Sequence, residues 1–296
     1  MKKIKVSLIQ HSCSDDIKEN TEKAFSMIEE AGKNGAHIIC TQELFKTPYF
    51  CQIEDWKYFN LAEKIDEKNE TIKNLSTLAK DYQTVIIASL FEKRAKGLYH
   101  NTVVVLNIDG SLSGLYRKMH IPDDPHFYEK FYFTPGDLGY KVFKTKYANI
   151  GTLICWDQWF PEAARLTAMK GADIIFYPTA IGWLPEEKEE YGASQYNAWE
   201  SVQKGHAVAN GCYIAAVNRV GFEPSPDGNS GIEFWGQSFI ANPSGELIVK
   251  GSQDKEQIIT AEIDLSIIEE NRIVWPFFRD RRPDTYHDLT KRWLDI

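Results

Sequence analysis

No stretch of this sequence stays apolar for the ~20 residues a membrane-spanning helix needs, although 43% of the 296 residues are hydrophobic. The N-terminal Met-Lys-Lys-Ile-Lys-Val-Ser-Leu-Ile-Gln lacks the apolar core of a signal peptide. It alternates as a strand does, with Ile4, Val6 and Leu8 set against Lys5, Ser7 and Ile9. A cytoplasmic protein with no membrane partner is therefore expected. Cysteine is sparse: Cys13, Cys40, Cys51, Cys155 and Cys212 are odd in number, widely scattered and form no CxxC pair. That pattern argues against a disulfide framework and against a zinc or dithiol motif, and implies free thiols. Blocks of positive charge are absent as well. With a net charge of −8 and no basic stripe, nucleic acid is not an expected partner. The chain has no GxGxxG or GxxxxGK[ST] segment, which disfavours a nucleotide-binding fold. Its seven histidines show neither HxH nor HExxH spacing, so no metal site is expected.

What remains is a chain of alternating strands and helices without a low-complexity linker, read as a single α/β domain over residues 1–296. Asn20–Gly32 reads as a first helix, with Phe25, Ile28 and Ala31 on one face, and Ile72, Leu75, Leu78, Ala79 and Tyr82 mark a second. Strands are expected at Thr84–Leu90 and Thr102–Ile108, followed by a hairpin turn at Asn107-Ile-Asp-Gly-Ser. A weak internal repeat links Gly35-Ala-His-Ile-Ile with Gly171-Ala-Asp-Ile-Ile, and Asn107-Ile-Asp-Gly with Asn242-Pro-Ser-Gly. Two similar halves packed sheet on sheet, with helices outside, give four layers, α-β-β-α. The segment 271–296 combines Trp275, Phe277, Phe278 and Trp293 with a run of arginines. It reads as an arm docked either on its own chain or on another subunit, and a homo-oligomer (dimer or higher) is the expected assembly.

Among the cysteines, Cys40 and Cys212 lie in or beside apolar strands and read as core residues. Cys155 stands apart. It ends the buried run Ile150-Gly-Thr-Leu-Ile, and Pro161-Glu-Ala-Ala-Arg opens a helix shortly after. A strand end at a tight connection presents a nucleophile beside free backbone N–H groups; the alternative is an inert cysteine. A thiol needs activation, being only a few per cent ionised at neutral pH. His120 and His126 could in principle supply it, but the sequence context of a cysteine–histidine pair is missing. Two further strand ends carry ionisable groups, Glu43 after Ala36-His-Ile-Ile-Cys-Thr-Gln and Lys118 after Leu115-Tyr-Arg. Either alone reads as a solvated charge. Together with a thiol they make a base that accepts the sulfur proton and a cation for a developing oxyanion, with the Trp156 N–H as a second donor.

The blocks around Glu43, Lys118 and Cys155 resemble those of the nitrilase superfamily of carbon–nitrogen hydrolases along nearly the whole chain. Arg117-Lys-Met-His-Ile-Pro-Asp, Cys155-Trp-Asp-Gln-Trp-Phe-Pro-Glu-Ala-Ala-Arg, Phe176-Tyr-Pro-Thr-Ala-Ile-Gly and Arg279-Asp-Arg-Arg-Pro-Asp are similar to its N-carbamoylputrescine amidohydrolase branch. The resemblance implies an α-β-β-α sandwich with a C-terminal arm. It makes Glu43 the general base, Lys118 the oxyanion partner, Cys155 the nucleophile and Glu129 a second glutamate near the lysine. It implies hydrolysis of N-carbamoylputrescine to putrescine, carbon dioxide and ammonia, a step of polyamine biosynthesis, without metal or organic cofactor. Met119 and the segment 186–193 depart from the pattern and bear on substrate preference.

Relatives that cleave carbamoyl amino acids hold the carboxylate with arginine just after the nucleophile, where this chain has Gln158 and Trp159. A cationic small-molecule substrate is therefore expected, gripped by acids and aromatic faces. Tyr49, Asp124, Trp156, Asp157 and Glu186 are the leading candidates, with Asp123, Glu187, Trp159 and Trp183 behind them. The competing functions are another amide or ureide hydrolase of the superfamily, such as a β-ureidopropionase, and a catalytically silent binding scaffold on the same fold.

Overall fold

The computed structural model describes residues 3–295. The strand Lys3–Gln10 shows how the sandwich arises. Val6 and Leu8 point to one face and Ile9 to the other, and both faces are buried, so alternation separates two apolar environments rather than core from water. Val85 and Ile87 against Ile86 and Ala88, and Val103 and Val105 against Val104 and Leu106, divide in the same way. The inward set packs against the second sheet through Ile150, Ile174 and Tyr213, whose hydroxyl donates to the Asp264 carbonyl of the first sheet at 2.9 Å. The outward set lies under Ala24, Ile28, Leu75 and Ala79 of two helices, Ile17–Lys33 and Glu70–Asp81. Each fully buried aliphatic side chain in these layers is worth roughly 1.5–3 kcal/mol.

The first sheet has six strands in the order Gln257–Asp264, Lys3–Gln10, Ile38–Thr41, Val85–Ala95, Leu98–Leu106, Leu112–Arg117. The second, also of six, runs Leu247–Lys250, Phe239–Ala241, Tyr213–Val217, Ile174–Pro178, Asn149–Thr152, Val142–Lys144. Helices Pro161–Met169 and Pro185–Asn210 contribute Ala163, Ala164, Trp199 and Ala207 to the core on that side. The four-layer α-β-β-α arrangement follows. A small three-stranded sheet, Gly182–Trp183, Gly231–Trp235 and Val220–Pro224, stands beside it.

The internal repeat is structural. Gly35 and Gly171 each follow a helix with positive φ, 77° and 93°, and each leads three residues later into a central parallel strand. The turns at Asn107 and Asn242 close alike, with the Gly110 N–H donating to the Asn107 carbonyl at 2.9 Å and the Gly245 N–H to the Asn242 carbonyl at 2.8 Å. The two expected helices begin earlier than the sequence pattern suggested, because Asp16 and Asn69 cap them.

The long helix Pro185–Asn210 has no clean apolar stripe. Its buried residues include Gln203, His206 and Asn210, which obscures the period that would reveal it. In the arm, Phe278 packs on the core between the guanidinium groups of Arg165 and Arg272, each 5.0 Å from its ring, while Trp275 and Trp293 stay exposed. Residue 296 of the expected arm, like residues 1 and 2, lies outside the described residues. No helix among the described residues is long and apolar enough to cross a membrane.

Candidate active site

Glu43, Lys118 and Cys155 each follow the end of a strand: Ile38–Thr41, Leu112–Arg117 and Asn149–Thr152. The two sheets meet at this end, where the Glu43 N–H donates to the Thr179 carbonyl beyond the strand Ile174–Pro178. All three residues are buried, Glu43 and Lys118 completely.

Lys118 Nζ donates to Glu43 Oε1 at 2.8 Å and to Glu129 Oε2 at 2.6 Å. Asn101 Nδ2 donates to the same Glu43 oxygen at 2.7 Å, and the Tyr49 hydroxyl donates to Glu129 Oε1 at 2.7 Å. Glu43 Oε2 is left without a partner, an open acceptor in the form a base requires. The Cys155 thiol lies 4.0 Å from the Ala180 carbonyl. Burial and then the Glu43 charge push that thiol well up, against the pull of Lys118, so the resting group is S–H and its proton must be taken. Burial opposes the charge on Lys118, but Glu129 and Glu43 outweigh it and hold the ammonium well above its ordinary range. Burial also raises Glu129, to about 7, with Lys118 opposing and Glu43 reinforcing the shift. One buried cation is thus shared between two carboxylates.

Cys155 has φ +42°, a strained left-handed conformation that costs roughly 1–3 kcal/mol in a non-glycine residue. Asp157 holds it there. One of its carboxylate oxygens accepts from the Ile154 N–H at 2.9 Å and the Tyr116 hydroxyl at 2.8 Å. The other accepts from the His120 N–H at 3.0 Å and lies 2.7 Å from His120 Nδ1. The turn Cys155–Trp159 is helical, and the N–H groups that open such a turn, including that of Trp156, have no partner within it.

Beside the thiol lies a cavity of about 430 Å³, whose wall includes Cys155, Glu129, Asp124, Trp156, Trp159 and Glu187. Asp124 and Trp156, two of the expected substrate contacts, lie on this wall. Three other expected contacts are corrected. Asp157 is fully buried and its carboxylate is spent on the cysteine turn. Tyr49 is buried among Phe127 and Phe234 and serves Glu129. Glu186 is exposed and accepts from the Ser230 hydroxyl at 2.8 Å, off the cavity wall. Its neighbour Glu187 lines the wall instead, with Gln195 and Ala198 from the same helix. Their spacing of eight and eleven residues is a helical face, a signal present in the sequence once 185–210 is read as a helix. Trp235 and Asn101 were missed because distant strands deliver them.

A model of the carbon–nitrogen hydrolase family matches residues 5–273. The chain belongs to that family. This carbon–nitrogen hydrolase is 45% identical over 290 residues to an N-carbamoylputrescine amidase of Arabidopsis thaliana, covering 97% of this chain and 95% of the relative. It is 42% identical over 293 residues to a citrullinase of Francisella tularensis, covering 99% and 100%. A crystal structure of a carbon–nitrogen hydrolase from Helicobacter pylori G27 superposes with a TM-score of 0.94 at 50% identity, covering 99% of this chain and 100% of that one. The nitrilase-type sandwich and its membership follow from these matches together with the layers described above.

Proposed function

We propose that this carbon–nitrogen hydrolase converts N-carbamoylputrescine to putrescine, carbon dioxide and ammonia, a reaction that yields a polyamine. The observation that carries the substrate is the charge on the cavity wall. Asp124 and Glu187 line it together with the rings of Trp156 and Trp159, the carboxylate of Glu129 being engaged by Lys118 and Tyr49, and the lining residues include no lysine, arginine or histidine. A ureide whose far end is an ammonium meets carboxylates and aromatic faces there. A ureide that also bears an α-carboxylate, such as citrulline, brings an anion for which the wall holds no cation. Gln158, at an arginine position of carbamoyl-amino-acid hydrolases, is fully buried and bonded by the Trp199 indole N–H at 3.0 Å.

In this reading Glu43 takes the Cys155 proton and the thiolate attacks the carbamoyl carbon. Lys118 and the Trp156 N–H receive the oxyanion. As the tetrahedral species collapses, one C–N bond breaks, and the departing amine takes the proton back from Glu43. The product is a carbamoyl thioester on Cys155. Water deprotonated by Glu43 attacks that thioester, the sulfur leaves as a thiol, and the released carbamate decomposes to carbon dioxide and amine. Ammonia release from N-carbamoylputrescine, citrulline and N-carbamoyl-β-alanine tests the substrate. The expected kcat/KM favours the first by about 100-fold or more, roughly 2.8 kcal/mol of discrimination. Glu187→Gln is expected to raise KM for it about tenfold with kcat nearly unchanged, as loss of one charge-assisted contact made equally in ground and transition states. A preference for either carboxylate compound removes the substrate claim and leaves the cysteine chemistry standing.

A second copy of the chain is the proposed partner. Ile273, Val274, Trp275, Leu289 and Trp293 of the arm are 61–81% exposed, and exposed Met169 is reached by Arg281 Nη1 at 3.3 Å. Apolar surface of this kind marks interfaces. Light scattering after gel filtration is expected to give at least a dimer, and Trp275→Asp with Trp293→Asp to give a smaller species; a wild-type monomer at micromolar concentration would overturn this.

A further inference from the structure

We infer that the buried pair Arg219–Glu223 is a positioning device that sets the places of both carboxylates around Lys118. The inference deepens the proposed function and rests on Cys155, Glu43 and Lys118 carrying the chemistry. Arg219 lies between the strands Tyr213–Val217 and Val220–Pro224, and Glu223 lies on the second of them. Neither touches the cavity, and both are buried.

The segment 43–49 leaves the sheet at Glu43 and has no helix or strand ladder of its own. It is bent, with Leu44 at φ +49°, so its carbonyls need partners from elsewhere. One guanidinium supplies them. Arg219 Nη2 donates to the carbonyls of Glu43 and Leu44, both at 3.0 Å, and Nη1 donates to the Thr47 carbonyl at 2.9 Å. Nη1 also donates to Glu223 Oε1 at 2.6 Å, and the other oxygen of Glu223 accepts from the Tyr49 N–H at 2.6 Å.

The chain of contacts ends on both catalytic carboxylates. Glu43 is fixed through its own carbonyl. Glu129 is fixed through Tyr49, whose backbone sits on Glu223 and whose hydroxyl holds Glu129 Oε1. A lysine cannot copy this, because an ammonium is a compact point charge whereas the contacts use a planar fork reaching several acceptors at once. A buried ion pair generally adds little net stability over apolar residues of similar volume, so its placement behind the base is better accounted for by position than by stability.

The test uses the full chain with Arg219→Lys and Glu223→Gln, all rates expressed per folded molecule from near-ultraviolet circular dichroism. Two readouts are taken: kcat and KM on N-carbamoylputrescine, and the pH dependence of Cys155 alkylation by iodoacetamide, followed by peptide mass spectrometry. Displacing Glu43 by about 1 Å is expected to lower kcat about 100-fold with KM within about threefold. It is also expected to move the rise of alkylation to lower pH, since the Glu43 charge that holds the thiol up is displaced. If Arg219→Lys does not fold, Glu223→Gln, which keeps shape and volume, decides by the same readouts. A kcat per folded molecule within threefold of wild type, or an alkylation profile that does not move, overturns the inference and leaves the pair as packing. Alkylation needs no substrate, so its outcome stands even if another carbamoyl compound proves to be the one hydrolysed.

Discussion

Replacing Cys155 with alanine is expected to lower hydrolysis more than about 10⁴-fold, the scale of losses when a nucleophile is removed from an acyl-transfer site. The substitution deletes one sulfur from a buried position. The hydrogen bonds of Asp157 that hold the turn involve Ile154, Tyr116 and His120, none of which changes. Folding should therefore survive, with a loss on the order of 1 kcal/mol for the missing atom. Substrate affinity should be nearly retained, because Asp124, Glu187, Trp156 and Trp159 stay on the wall. Steady-state ammonia release, thermal unfolding and calorimetric binding of N-carbamoylputrescine measure the three quantities. A variant that keeps more than about one per cent of wild-type turnover would show that another group attacks the carbamoyl carbon. A wild-type protein that binds the ureide without turnover would place the chain with the silent scaffolds.

Replacing Lys118 with methionine is expected to have the largest effect on stability. Its ammonium is the shared partner of Glu43 and Glu129, and all three side chains are completely buried. Methionine fills similar volume, so the dominant consequence is electrostatic: two carboxylates face each other with no cation between them. Breaking a buried pair in this way costs about 3–5 kcal/mol. The sign with pH follows from proton counting. Without the ammonium, burial and mutual repulsion hold the folded-state pKa of the carboxylates above the unfolded value of roughly 4.3. The folded state then binds more protons, so stability falls as pH rises above the unfolded value and keeps falling until the folded value is passed. The same sign already acts on Glu129 in the wild-type chain, where burial raises it to about 7. Urea unfolding of the variant and wild type at pH 5 and pH 8 is the measurement. The difference between them is expected to be largest at pH 8 and to shrink at pH 5; an equal loss at both would mean that the lysine acts through packing. Activity should fall with it by about 10³-fold, as the oxyanion loses its charged donor.

The sequence by itself determined the layered architecture and singled out Glu43, Lys118 and Cys155 as the candidates for the chemistry. Alternation in Lys3–Gln10 and the helical period of Glu70–Asp81 are local patterns, fixed by the pleat and the turn, and each needs only a dozen residues to be read. Glu43, Lys118 and Cys155 were legible because each occupies a recurrent local position, a polar residue just past an apolar run, within blocks specific enough to carry a family resemblance. What only the tertiary structure decided is which side chain faces which. Asp157 and Glu186 looked like ligands for a cation because a sequence shows charge but not direction. One faces inward to hold the cysteine turn, and the other is exposed and meets Ser230. Tyr49 gave its hydroxyl to a carboxylate eighty residues away. Asn101 and Arg219 reach Glu43 across 58 and 176 residues. Contacts over such separations follow from how two sheets stack, and no period along the chain records them.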